Sequence, residues 1–282
     1  MWTLLKTHKT DLVRLFVAVF TICNIFLMYI YNSRVLEIKS NKKSTTVNEM
    51  KYVLQWSGKS LAPFNYMGEG NSAFISYNCK YTNCFVTDNA SYLDLTEFDA
   101  IAFNGRKVGY MKQSDLPDRR SPKQKYIFGA TESAHRFPLC SRFLDSFFNW
   151  TWTYKLSSDF RFGYITIYDL QGNEVGPAID MKWPENMKPI SEDLKAKLSK
   201  KSKVAAWFVS HCQTHSKREK FVSEVRKDTW KNCAKKLEDE YYFYFSFENS
   251  FAEDYVTEKL LTALNNYAVP VVFGSANYSR YC

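Results

Sequence analysis

Residues 241–274 read YYFYFSFENSFAEDYVTEKLLTALNNYAVPVVFG, and this stretch decides the fold. The aromatic run from Tyr241 to Phe247 reads as a strand buried on both faces. A polar break follows, and Ser250 with Glu253 three positions later has the form of a capping box, the start of a helix. Val256, Leu260, Ala263 and Leu264 recur at helical spacing. Pro270 closes that region and leads into Val271-Val272-Phe273-Gly274, a second short buried strand. Strand, loop, helix and strand make half of a nucleotide-binding α/β sheet. The helix N-terminus offers unpaired N–H groups and a positive dipole end to a phosphate. Glu248, Asp254, Tyr255, Glu258 and Lys259 crowd this turn more densely than packing requires.

Upstream, residues 204–209 read as another buried strand of the same unit, with a helix over about 216–227 behind it. Residues 51–56, 98–103 and 125–129 read as three strands of an earlier unit, the segment 117–122 being a charged turn. Residues 183–203, rich in Pro and Lys, read as a linker and surface helix. The sequence alone supports alternating strands and helices.

Composition sets bounds. The chain has 282 residues, 45% hydrophobic and 17% aromatic, enough for two cores. A formal net charge of +9 suits an anionic nucleotide or a negatively charged membrane surface. The lysines are scattered or lie in polar stretches, so nucleic acid is not the expected partner. Residues 12–31 are apolar apart from Arg14 and Asn24 and match the bilayer core, about 30 Å of helix. No small-residue cleavage site follows, so the segment reads as an uncleaved signal-anchor between a tail, 1–11, and a polar stem, 32–50. Basic residues flank it on both sides and leave its orientation undecided. Sequons at Asn89, Asn149 and Asn277 favour a lumenal C-terminal part, as do six of the seven cysteines lying beyond the segment. Cys79 with Cys84 is a short possible bridge. His211 and His215, with Cys212 between, lack the further ligands a metal site needs.

The runs Phe247-Glu248-Asn249-Ser250, Asp254-Tyr255-Val256-Thr257-Glu258-Lys259-Leu260 and Val269-Pro270-Val271-Val272-Phe273-Gly274 resemble the signature of the α1,3-fucosyltransferases, glycosyltransferase family ten. Residues 118–124 and 148–159 resemble further segments of that family. The resemblance implies a GT-B architecture, two Rossmann-like α/β domains, 51–195 and 203–282, facing a cleft after an N-terminal transmembrane helix. It also implies a GDP-fucose donor, a glycan acceptor with terminal or core GlcNAc, and a single-pass Golgi enzyme with its catalytic part lumenal. The family needs no catalytic metal or cofactor, because fixed protein charge does that work.

Fucosyl transfer asks for a base, for cations at the departing diphosphate, and for a group beside the sugar. Glu132 follows the strand 125–129 and so stands at a C-terminal sheet edge, where open α/β sheets keep their clefts. The family has Glu-Ser-Pro there, with the glutamate as proposed base, and this chain has Glu132-Ser133-Ala134. By the same resemblance Arg218 and Lys259 face the diphosphate, Asn249 and Tyr255 contact the donor, and Glu258 lies near the fucose. On residue type alone, Glu132, Arg218 and Lys259 read as surface charges, and Tyr255 reads equally well as core. The family carries a further strand and loop between residues 227 and 228 and further elements beyond Cys282. Their absence leads to the expectation of an incomplete donor domain. The rival reading is a catalytically inactive membrane-anchored paralogue or splice form that binds nucleotide sugar or glycan.

Overall fold

The computed structural model describes residues 49–210, 213–222 and 233–282. The tail, the apolar segment 12–31, the stem up to residue 48, His211, Cys212 and the 227–228 junction lie outside the described residues. Among the described residues no helix is long and apolar enough to cross a membrane.

Two parallel sheets organise residues 51–282. The first contains β1 (Lys51–Gln55), β2 (Cys84–Thr87), β3 (Ala100–Asn104), β4 (Lys125–Ala130), β5 (Trp150–Thr153) and β6 (Phe160–Arg161), in the order β2-β1-β3-β4-β5-β6. A short antiparallel pair, β7 (Ile167–Tyr168) and β8 (Glu174–Gly176), follows. The second sheet takes β9 (Lys203–Ala206), β10 (Tyr241–Phe247) and β11 (Val269–Phe273), in the order β11-β10-β9.

Period-two alternation builds the first core on both faces. Ile101 and Phe103 of β3 pack with Leu54, Tyr126 and Leu144 on one side. Ala100 and Ala102 pack with Val53, Val86 and Phe64 on the other. A Cβ at Gly129 would collide with the Phe64 ring, so glycine lets that ring close over β4. In the second sheet, Ala206, Tyr244 and Ala268 pack with Leu237 of the helix Cys233–Glu240 and Ala263 of the helix Glu258–Asn265. A further cluster packs Ile165, which follows β6, with Val256, Leu260 and Tyr281.

Several sequence expectations are corrected. β10 has the expected bounds, but Tyr242 and Phe243 are exposed and burial is confined to Tyr244, Ser246 and Phe247. The strand is central only where β9, β11 and the helices cover it. Val204 is 73% and Val269 57% exposed because β9 and β11 are edges. Pro270 lies inside β11 rather than before it, which an edge strand tolerates.

The capping box does not form. Ser250 is buried, Glu253 pairs with Lys155 at 2.8 Å, and the helix begins only at Glu258. Asp254 adopts φ 57°, which breaks any helix between them, and Leu264 is exposed. The described part of 216–227 holds one 3-10 turn, Arg218–Lys220, set off by Lys217 at φ 53°. The linker contains the helix Glu192–Leu198, capped by Ser191. Strands β2 and β5 are additions to the three strands that the sequence pattern marks in this unit. Cys79 and Cys84 are separate thiols, Cys84 being fixed in the ladder opposite Lys51 and Cys79 tied back to the Phe74 carbonyl.

Candidate functional site

A cavity of about 600 Å³ lies between the C-terminal edges of the two sheets. Glu132, Arg136 and Tyr164 line it from the first sheet's side. The segment 213–220 and Asn249, Tyr255, Thr257, Glu258 and Lys259 line it from the second. All six side chains singled out for chemistry, Glu132, Arg218, Asn249, Tyr255, Glu258 and Lys259, therefore meet at one place. Arg136, Lys217, Arg218, Lys220 and Lys259 bring five cations against the three carboxylates Glu132, Glu219 and Glu258. Such a balance favours an anionic occupant.

Glu132 comes directly after β4, and its Oε2 accepts a 3.0 Å hydrogen bond from the Tyr255 hydroxyl. Arg136 Nε lies 4.0 Å from the same oxygen. Tyr255 is buried against the rings of Tyr154 and Tyr164. Burial first, then the Glu132 charge, pushes its phenol far above the ordinary tyrosine value, so it stays protonated and donates. The even choice between core and site has a double answer: the ring is core and the hydroxyl faces the cavity residues.

Arg218 is only 4% exposed and donates to the Phe247 carbonyl at the end of β10. Burial draws its guanidinium below the ordinary value, opposed by Glu248 and then Glu219. Among the described residues its Nε has no hydrogen-bond partner, and neither has the buried Oδ1 of Asn249. Buried polar atoms without a partner are uncommon, and here two of them belong to residues of the cavity wall.

Lys259 stands in the first turn of the helix Glu258–Asn265, whose N-cap is Thr257. Its Nζ donates to Thr257 Oγ1 at 2.7 Å and pairs with Glu258 Oε1 and Glu248 Oε2, each at 3.2 Å. Glu258 is largely exposed at the rim. Glu248 lies beneath, 1% exposed, and accepts from the Thr257 N–H at 2.8 Å and from the Thr257 hydroxyl at 3.0 Å. The local sequence marks Glu248 only as one of a crowded set, because its backbone partners, the Phe273 carbonyl and the Ser216 hydroxyl, are distant in the chain. Tyr164 and Arg136 also went unnamed; nothing in their local sequence marks them.

His215 lines the cavity and packs on His135 with ring centroids 4.4 Å apart. Among the described residues no three metal-ligating side chains gather. Asn89, Asn149 and Asn277 are exposed and lie away from the cavity lining. The Asn149 side chain also accepts from the Tyr126 N–H at 2.8 Å.

Comparison with known proteins follows the same division. Residues 48–165 match the family described as Fucosyltransferase, N-terminal, and residues 198–282 match Glycosyltransferase family 10 (fucosyltransferase) C-term. Alpha-(1,3)-fucosyltransferase C of Drosophila melanogaster is 35% identical over 229 residues, 72% of this chain and 52% of its own length. Alpha-(1,3)-fucosyltransferase fut-1 of Caenorhabditis elegans is 45% identical over 89 residues, 26% of this chain and 21% of its own. A crystal structure of an alpha1,3-fucosyltransferase with GDP-fucose aligns at 17% identity and a TM-score of 0.42, over 80% of this chain and 69% of the other. The chain spans about half the length of the fly relative.

Proposed function

The chain belongs to glycosyltransferase family 10, the fucosyltransferases, and from that membership we propose that its cavity takes GDP-fucose and passes L-fucose to the 3-hydroxyl of a GlcNAc residue in a glycan. The observation that carries this reading is that Glu132, from one sheet, shares a cavity with Arg218 and Lys259 from the other. A base and a leaving-group clamp on facing walls suit displacement with inversion, and the two sheets then correspond to the halves of a GT-B enzyme.

In the proposed step the acceptor oxygen attacks the anomeric carbon and gives its proton to Glu132. The bond from that carbon to the GDP oxygen breaks, and GDP departs with the electron pair. Tyr255 holds the Glu132 carboxylate through its 3.0 Å hydrogen bond. Arg218, Lys259 and the N–H groups of the first helical turn neutralise the diphosphate as charge builds on it. Asn249 supplies a polar contact to the donor, and Glu258 stands near the sugar as it gains positive character. No cofactor or metal enters this scheme. The same reading makes residues 12–31 a signal-anchor of a type II Golgi membrane protein. The exposed Asn89, Asn149 and Asn277 are then glycosylation sites of a lumenal domain.

The test is transfer by the full chain from GDP-fucose to an N-acetyllactosamine or N-glycan acceptor. Transfer by the wild type, lost in Glu132→Gln, supports the reading. Full transfer in both Glu132→Gln and Lys259→Ala removes the role assignments. Calorimetry with GDP-fucose separates transfer from the rival outcome, donor binding without transfer.

A further inference from the structure

We infer that Glu248 is a positioning residue, a buried carboxylate that holds the Lys259 ammonium in place for the diphosphate of the proposed donor. The proposal rests on the fucosyl-transfer reading only for what Lys259 meets; the ion pair itself belongs to the fold.

The backbone of Glu248 is fixed from both sides. Its N–H donates to the Phe273 carbonyl at 2.9 Å, and its own carbonyl accepts the Ser216 hydroxyl at 2.7 Å. The side chain is consequently aimed under the N-terminus of the helix Glu258–Asn265. There its oxygens accept from the Thr257 N–H, from the Thr257 hydroxyl and from Lys259 Nζ. The Thr257 hydroxyl in turn accepts from Lys259 Nζ at 2.7 Å. Glu248, Thr257 and Lys259 thus form a closed triangle with every carboxylate contact internal to the protein.

A carboxylate with 1% exposure is costly unless it is paired and hydrogen-bonded. Burial pushes its carboxyl above the ordinary glutamate value, and Lys259 is the first of the groups that oppose this. Glu248 is not in the cavity lining, whereas Lys259 and Thr257 are. A ligand therefore meets the lysine and not the acid that orients it. Lys259 loses rotamer freedom before the ligand arrives, so the ligand does not have to order it.

The experiment compares the full-length wild type with Glu248→Gln, which keeps size and the contact to the Thr257 N–H but removes the charge. The first readout is acylation of Lys259 by a limiting amine reagent, followed by peptide mass mapping. Lys259, with a 20% exposed side chain, should react several-fold faster in Glu248→Gln than in the wild type. Equal rates overturn the proposal. The second readout is a kcat-against-binding split: kcat should fall about 10- to 100-fold while GDP affinity changes less than about threefold, as for a misplaced group. Loss of kcat in strict proportion to lost GDP affinity and lower thermal stability would instead assign Glu248 a merely structural role and overturn the proposal. The double variant Glu248→Gln with Lys259→Met should be no slower than Lys259→Met alone; a further loss from Glu248→Gln in that background also overturns it. A wild type that fails to turn over GDP-fucose sinks the transfer reading, and the acylation ratio then decides the positioning claim by itself.

Discussion

The Tyr255 hydroxyl donates to Glu132 Oε2 at 3.0 Å although the two residues lie 123 positions apart and descend from different sheets. Close by, Ile165, which follows the last strand of the first sheet, packs with Val256, Leu260 and Tyr281. The cavity is therefore a product of the interface between two α/β units, where ligand sites commonly lie.

Tyr255→Phe removes that hydrogen bond and leaves the packing of the ring. Its kcat/KM is expected to fall about tenfold, the effect of one hydrogen bond of about 1.4 kcal/mol. The double variant with Glu132→Gln should be no slower than Glu132→Gln alone, because the phenol acts through the carboxylate. Additive losses in steady-state kinetics would separate the two residues.

Asp254 ties the units together at a position with φ 57°. Its carboxylate accepts from the Leu156 N–H and from Arg280, both at 3.1 Å, and its carbonyl accepts the Tyr281 hydroxyl at 3.0 Å. Asp254→Ala should lower stability by about 3 kcal/mol, combining lost hydrogen bonds with left-handed backbone strain. Asp254→Asn tolerates that backbone and should cost less. Urea denaturation of the two variants checks the order.

Lys201 is 4% exposed, and its ammonium, with three N–H donors, sits within hydrogen-bond distance of the carbonyls of Leu237, Tyr241, Asn266 and Tyr267. It closes the C-terminal ends of both helices of the second sheet, a position where cations are favourable. Lys201→Met should lower stability by about 2–4 kcal/mol by leaving those carbonyls unpaired. A denaturation midpoint equal to that of the wild type would remove this role.

Much of the second sheet was legible because its signals are local. The bounds of β10 follow from an aromatic run interrupted only by Ser246, and the crowding and motif of 248–259 single out Asn249, Tyr255, Glu258 and Lys259, which line the cavity. What the sequence concealed was tertiary. The capping pattern of Ser250 and Glu253 loses to Asp254, whose partners Leu156 and Arg280 fix a helix-breaking backbone. Glu248 gains its surroundings from Ser216 and Phe273, far away in the chain. β2 was hidden because Cys84–Thr87 is short and follows a polar stretch.

Asp94 supplies a pH signature away from the cavity. The Thr96 hydroxyl first, then the Thr96 N–H and Arg119, hold its carboxyl at about 2 against an ordinary 3.8. The native state binds this proton more weakly than the unfolded chain, so the stabilisation is fully present above pH 3.8 and is lost as pH falls through about 2. Asp94→Asn should be less stable than the wild type at neutral pH, with the gap closing in that acid window. A gap that stays constant down to pH 2 would count against it.

Thermal melting of the full chain with and without GDP-fucose tests the occupied-cavity claim most directly. A donor at about 100 times its Kd should stabilise the wild type by about 2.7 kcal/mol and raise its Tm, with the shift much reduced in Lys259→Met. A folded wild-type chain whose Tm does not move at millimolar GDP-fucose would contradict the account.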